Sequence, residues 1–356
     1  MKDVLIVGPS WLGDAVMMGS LALRLKAQAP ERNITVLAPA FLQGALERMP
    51  GVDAVVANPF AHGALRLGER RRFGRALRGR FETAFVLPNS WKSALVPFFA
   101  GIPTRIGFVG EARYGLLTDA RKLDEARLPR LIDRFALLAE PGGTVAPPAP
   151  PLPQLRADDG AAVFARFGLD PVRPAVALCV GAEYGPAKRW PAAHFAELAR
   201  RLAAEGMGTW LLGSPNDAAV AAEIEALAPG AAVNLAGRTQ LAEAIDLIAG
   251  AAAVVSNDSG LMHVAAALGR PLVALYGSSS PAYTPPLSDT AAVLSLGLSC
   301  SPCFERVCPL GHFKCLNDLA PERVLAALRP LLSAHPGEGR DPAGARTWAP
   351  AAEDPA

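Results

Sequence analysis

A chain of 356 residues with 51% hydrophobic and 19% charged residues is globular over most of its length and too long for one ordinary core. Its formal net charge of +2 excludes a general polyanion-binding field, so nucleic acid is not expected as a partner and any basic function is local. Five cysteines, no apolar leader at Met1-Lys-Asp-Val and no apolar run of bilayer length lead us to expect a cytoplasmic protein without a disulfide framework.

Residues 4–8, 34–38, 54–57, 83–87 and 105–108 read as strands, with helical patterns over 14–28, 41–48, 68–80 and 90–100. Such alternation predicts βαβ units and a parallel sheet. The first loop, Gly8-Pro-Ser-Trp-Leu-Gly-Asp14, has only two glycines where a dinucleotide fingerprint has three, which counts against a nicotinamide-dependent dehydrogenase. Asp14 at the helix start has two readings: a capping carboxylate, or a general base for an acceptor hydroxyl. In the helix predicted over 68–80, Phe73, Leu77 and Phe81 form an apolar stripe with Arg71, Arg75 and Arg78 opposite. The arginines are either the solvated face of a core helix or a surface for an acidic acceptor or anionic lipid head groups.

Residues 141–153 carry Pro and Gly at a density that neither helix nor sheet interior sustains, and read as an extended linker. The predicted domains are therefore 1–150 and 151–334, meeting across a cleft, with a disordered tail over 335–356. Beyond the linker, strands are expected at 175–180, 209–212, 233–235, 253–255, 272–275 and 292–296. Helices are expected at 192–204, 217–227, 241–251, 261–268 and 321–333.

Two loops of the second half suit an anion. The first, Gly181-Ala-Glu-Tyr-Gly-Pro-Ala-Lys-Arg-Trp-Pro191, carries Lys188-Arg189 just before a helix, and with only six lysines among 35 basic residues Lys188 stands out. The second, Asn257-Asp258-Ser259-Gly260, falls where a strand passes into a helix, whose first amides cradle phosphate. There Ser259 reads as N-cap, Gly260 admits close approach, and His263 lies one turn on. Cys300, Cys303, Cys308 and Cys315 crowd one loop, with His312 as a spare ligand. They are either a structural zinc or iron–sulfur site or four reduced thiols. A metal-containing interaction module without catalysis is the non-enzymatic alternative.

The loops at 8–14 and 181–191, with Leu87-Pro-Asn-Ser-Trp-Lys-Ser-Ala-Leu-Val-Pro-Phe-Phe-Ala-Gly101 and Ser256-Asn-Asp-Ser-Gly-Leu-Met-His-Val-Ala-Ala-Ala-Leu268, resemble the ADP-heptose:lipopolysaccharide heptosyltransferases up to about Ser333. The resemblance implies an α/β GT-B fold of two Rossmann-like doubly wound domains, the acceptor on the first and ADP-heptose on the second. It implies inverting, cofactor-independent transfer of heptose onto the first heptose of the heptosyl-Kdo2-lipid A acceptor, the alternative being the first heptose onto Kdo. Asp14 matches the family's proposed base, Lys188 its diphosphate lysine, and Asp258, Ser259, Gly260 and His263 its donor-binding turn. Glu183, Tyr184 and Asp217, the last for the ribose, complete the expected donor set. Ser10, Arg71, Arg75, Arg78 and Lys92 form the expected acceptor set. The enzyme is then expected at the cytoplasmic face of the inner membrane, touching its surface transiently.

Overall fold

A computed structural model describes residues 3–60 and 63–334, so the tail expected over 335–356 lies outside the described residues. The chain divides into two compact units with the break after Gln154.

The first unit holds six parallel strands: β1 (Val4–Val7), β2 (Ile34–Ala38), β3 (Ala54–Ala57), β4 (Thr83–Val86), β5 (Thr104–Phe108) and β6 (Asp119–Arg121), in the order β3-β2-β1-β4-β5-β6. Helices α1 (Leu12–Gln28), α2 (Gln43–Leu46), α3 (Leu67–Ala76), α4 (Leu95–Phe99) and α5 (Leu131–Leu137) connect or flank them. The second unit holds β7 (Ala175–Cys179), β8 (Gly208–Leu212), β9 (Val233–Asn234), β10 (Ala253–Asn257), β11 (Leu272–Leu275) and β12 (Ala291–Leu294), also all parallel, in the order β12-β11-β10-β7-β8-β9. Its helices are α6 (Ala161–Phe167), α7 (Ala192–Ala204), α8 (Ala218–Leu227), α9 (Leu241–Gly250), α10 (Gly260–Ala267), α11 (Lys314–Asn317) and α12 (Pro321–Ala334).

Counted from its own first strand, each sheet has the same order, with the chain reversing direction beside β1 in one and beside β7 in the other. That reversal splays the two flanking loops apart and opens a crevice at the carboxyl ends of β1 and β4, and of β7 and β10. The inner strands β1, β2, β7, β10 and β11 are buried along their whole length. This is why they read as mainly apolar runs rather than alternating ones, with Thr35 in β2 and the closing Ser256-Asn257 of β10 as the exceptions.

Three boundaries differ from expectation for physical reasons. The helix expected over 68–80 stops at Ala76, because residues 77–80 turn through Gly79 at φ +75°. The stretches 41–48 and 90–100 each begin as a tighter 3-10 turn, Ala40–Leu42 and Trp91–Ala94, before α2 and α4. The 141–153 stretch is irregular, as its prolines require, but it is tied to α1. Buried Arg24 donates to Glu140 Oε1 at 2.7 Å, to Pro148 O at 3.0 Å and to Ala149 O.

Candidate functional site

The loop after β7 and the turn after β10 meet at the crevice of the second sheet. Lys188 Nζ lies 2.6 Å from Asp258 Oδ2, the carboxylate being 5% exposed and the lysine side chain 18%. Asn257 sets this distance. Its Nδ2 donates to Val180 O at 2.9 Å, and its Oδ1 accepts the Trp190 N–H at 3.0 Å, so one buried amide locks both loops. The indole of Trp190 donates in turn to Leu319 O at 2.8 Å. Sequence reasoning placed Asn257 in the anion-binding turn but gave it no role of its own; its signal was a polar residue closing a buried strand.

Ser259 occupies the N-cap of α10, but its side chain makes no capping hydrogen bond. The Ser256 hydroxyl donates to Asn257 O at 2.7 Å, and the Ser259 hydroxyl lies 3.2 Å from Ser256 Oγ. The serine expected to cap α10 is thus turned away from the first amides. Those amides and the Lys188 ammonium gather positive potential within one crevice, an arrangement suited to a diphosphate.

His263 is 5% exposed in the first turn of α10. Burial pushes its pKa down to about 4, with Asp258 opposing and Lys188 reinforcing the shift, so the ring is neutral at physiological pH. The unfolded chain takes up this proton near the ordinary value of 6.5, so between pH 6.5 and 4 it binds a proton that the folded chain refuses. Stability from this group is complete above pH 6.5 and falls on acidification, by on the order of 3 kcal/mol. Denaturant titrations at pH 7 and pH 4.5 should show the wild type losing roughly 2 kcal/mol more than His263→Gln. Parallel losses in the two proteins would assign the acid sensitivity elsewhere.

The other expected donor residues divide. Tyr184 donates its hydroxyl to Phe304 O at 2.6 Å, and Lys188 Nζ lies 5.1 Å from its ring centroid. Glu183 is exposed and accepts from Asn216 Nδ2 at 2.8 Å. Asp217, by contrast, is 3% exposed and belongs to the fold. Its Oδ2 accepts the Ser214 N–H at 2.9 Å and the Ser214 hydroxyl at 2.8 Å, closing the turn ahead of α8. It sits against the backbones of Gly181 and Gly213, where an added Cβ would come within 2.2 Å and 2.9 Å of its atoms.

In the first unit, Asp14 is the third residue of α1, half-buried, directly beyond the loop that leaves β1. Ser10 is exposed in that loop. The neighbouring turn after β4 is held by Arg113, 1% exposed, which donates to Phe108 O at 3.0 Å and to Pro88 O. Burial lowers the pKa of Arg113 to about 10, with Glu111 opposing, so it remains charged. Lys92 donates to Gly63 O at 2.9 Å. Leu77 and Phe81 are buried and Phe73 partly so, whereas Arg71, Arg75 and Arg78 are exposed and make no ion pair among the described residues. Arg70 differs: its guanidinium is buried, 4.2 Å from the Phe60 ring centroid.

Cys300, Cys303, Cys308 and Cys315 are free thiols lining one cavity. Among the described residues, no three His, Cys, Asp or Glu side chains already stand at metal-ligating geometry. The fifth cysteine, Cys179, is fully buried in β7, where desolvation raises its pKa to about 12 and leaves it inert.

A sequence profile of glycosyltransferase family 9 (heptosyltransferase) matches residues 70–314. The chain is 48% identical over 342 residues to lipopolysaccharide heptosyltransferase 2 of Salmonella typhimurium, covering 93% of this chain and 98% of that one. It is 44% identical over 347 residues to lipooligosaccharide heptosyltransferase 2 of Haemophilus influenzae, covering 93% and 99%. The solved structure of Escherichia coli ADP-heptose lipopolysaccharide heptosyltransferase II superposes with a TM-score of 0.85 at 45% identity, covering 94% of this chain and 99% of that one.

Proposed function

The chain belongs to glycosyltransferase family 9, the heptosyltransferases, and from that premise we propose how it works. It is a heptosyltransferase of type II with a GT-B architecture, moving heptose from ADP-heptose to the first heptose of the lipopolysaccharide inner core. The observation that carries the donor assignment is the Lys188–Asp258 pair beside the uncapped start of α10, at the switch point of the second sheet. The diphosphate lies on Lys188 and the α10 amides, and exposed Glu183, with Asn216, takes the ribose role for which buried Asp217 is unsuited.

Asp14 is the base. It takes the proton of the acceptor hydroxyl as that oxygen attacks the anomeric carbon and the bond to the ADP β-phosphate breaks. The electron pair leaves with ADP, whose growing charge Lys188 and the helix amides stabilise. A single displacement of this kind inverts the anomeric centre. Charge stabilisation is supplied by the chain itself, so the transfer step calls for no cofactor. The thiol-lined loop stands outside this chemistry.

Purified protein incubated with ADP-heptose and Kdo2-lipid A carrying zero or one heptose tests the assignment by mass spectrometry. Addition of one heptose to the acceptor that already bears one is expected. Addition only to the heptose-free acceptor would make this chain the enzyme of the preceding step.

The acceptor is assigned to the first unit, through Ser10, Lys92 and the arginines of α3 and its following turn. Arg71, Arg75 and Arg78 are exposed cations suited to acidic inner-core groups or to the anionic surface in which the acceptor is anchored. Among the described residues no helix is long and apolar enough to cross a membrane. Replacing the three arginines by Gln should raise the acceptor KM several-fold, leave ADP affinity unchanged, and lose its effect as salt is added. Unaltered acceptor kinetics at low salt would reduce these residues to a solvated helix face.

A further inference from the structure

The segment from Cys300 to Cys315 buries little apolar surface of its own. Its regular structure begins only with α11, and Phe304, Val307 and Leu310 are 50%, 59% and 61% exposed. Ordering a loop of this kind without a core of its own requires some other constraint.

The loop nevertheless bridges two functional elements. On one side it is tied to the loop that follows β11, where the Phe304 N–H donates to Ser278 O at 2.6 Å and the Ser301 hydroxyl donates to Gly277 O. On the other it grips the donor loop. The Ala187 N–H donates to Arg306 O at 3.0 Å, and the Tyr184 hydroxyl donates to Phe304 O at 2.6 Å. Arg306 and Lys188 each lie 5.1 Å from the Tyr184 ring centroid. Gly185 takes φ +155° where a Cβ would come within 2.5 Å of Arg306 O, so the two backbones touch.

The four thiols line one cavity, with Ala187 of the donor loop in its wall. Rotation about Cα–Cβ alone carries a cysteine sulfur by about 3 Å between staggered positions, enough for sulfurs around a shared cavity to close on an ion at roughly 2.3 Å. His312 is the poorer candidate, since its Nδ1 already accepts the Lys314 N–H at 3.0 Å.

We propose that Cys300, Cys303, Cys308 and Cys315 bind a single thiophilic divalent ion, zinc or iron, and that this ion holds the Tyr184–Lys188 segment in its donor-binding course. Binding releases the thiol protons to solvent and transfers no electrons. Positioning Lys188 is a consequence that rests on the donor assignment above; the metal site itself does not.

The test uses the full chain purified without oxygen and without chelators. Elemental analysis should find about one zinc or iron per chain. Cobalt(II) exchanged into the site should show the sulfur-to-metal absorption and intense visible bands of a tetrahedral thiolate centre. Cys303→Ser and Cys308→Ser should lose the ion, whereas His312→Ala should retain it. Stripping the ion from the wild type should weaken ADP binding about tenfold in calorimetry, the weight of one hydrogen-bonded charge, with recovery when metal is restored. Because the stripping is reversible, a variant that fails to fold does not decide the matter. Metal-free native protein with all four thiols titratable, or with two disulfides, would overturn the site. A bound ion whose removal leaves ADP affinity unchanged would overturn its link to Lys188. Metal-replete wild type that fails to bind ADP would strike the donor assignment instead.

Discussion

Asp14→Asn is expected to lower kcat by about 10²–10⁴-fold, the range for a positioned general base, while ADP affinity stays at the wild-type value. Asparagine keeps the size of the side chain and its ability to accept at a helix start, so the substitution removes basicity and little else. The position supports this separation. Asp14 lies in the first turn of α1, beyond the buried strand β1, whereas the proposed donor contacts all belong to the second unit. Stability and ADP binding therefore serve as controls, by thermal melt and calorimetry. Without that base the acceptor hydroxyl must give up its proton unaided, so part of the loss should be recovered at higher pH with a more acidic acceptor analogue. Near-normal turnover in Asp14→Asn would leave the residue a structural carboxylate and send the search for the base to other acidic side chains.

How much of this was legible in the chain depends on whether the cause was local. Strands β1, β7 and β11 announced themselves because both faces are buried and nothing polar interrupts them, and β2 did so with only Thr35 as an exception. Strand β6, Asp-Ala-Arg at a sheet edge, carries no such pattern and is recognisable only by its pairing with β5. Helix α6 was bracketed by Gly160 and Gly168, both with left-handed backbone, but seven residues are too few for a period to emerge. The same distinction holds in the site. Lys188 and the 257–260 turn stood out by residue type and by their place at strand ends. The burial of Asp217 did not, because it follows from the adjacency of Gly181 and Gly213, which lie just beyond the ends of neighbouring strands β7 and β8. Nor did the lock formed by Asn257, whose partners Val180 and Trp190 lie far away in sequence.

Lys188→Gln should weaken ADP binding by about 10- to 100-fold, the worth of a charged hydrogen bond of roughly 1.5–3 kcal/mol. It should also destabilise the protein, and the two losses have different origins. Asp258 is 5% exposed, so removing its partner 2.6 Å away leaves a carboxylate buried without compensation, which typically costs about 3–5 kcal/mol. Solvent reaches the lysine side chain, 18% exposed, and should hold the cost near the lower end. Adding Asp258→Asn to Lys188→Gln removes the stranded charge and should restore most of the stability. It should leave ADP binding as weak as in the single variant, since the cation facing the diphosphate is still missing. Asp258→Asn alone should fold, keep Lys188 and bind ADP with a smaller loss, because the ammonium survives but is less firmly aimed. If the double variant recovered ADP affinity along with stability, Lys188 would be a structural partner of Asp258 and the diphosphate contact would have to lie elsewhere along α10. Stability recovered without affinity separates the lysine that builds the crevice from the lysine that uses it, and shows them to be one residue in both roles.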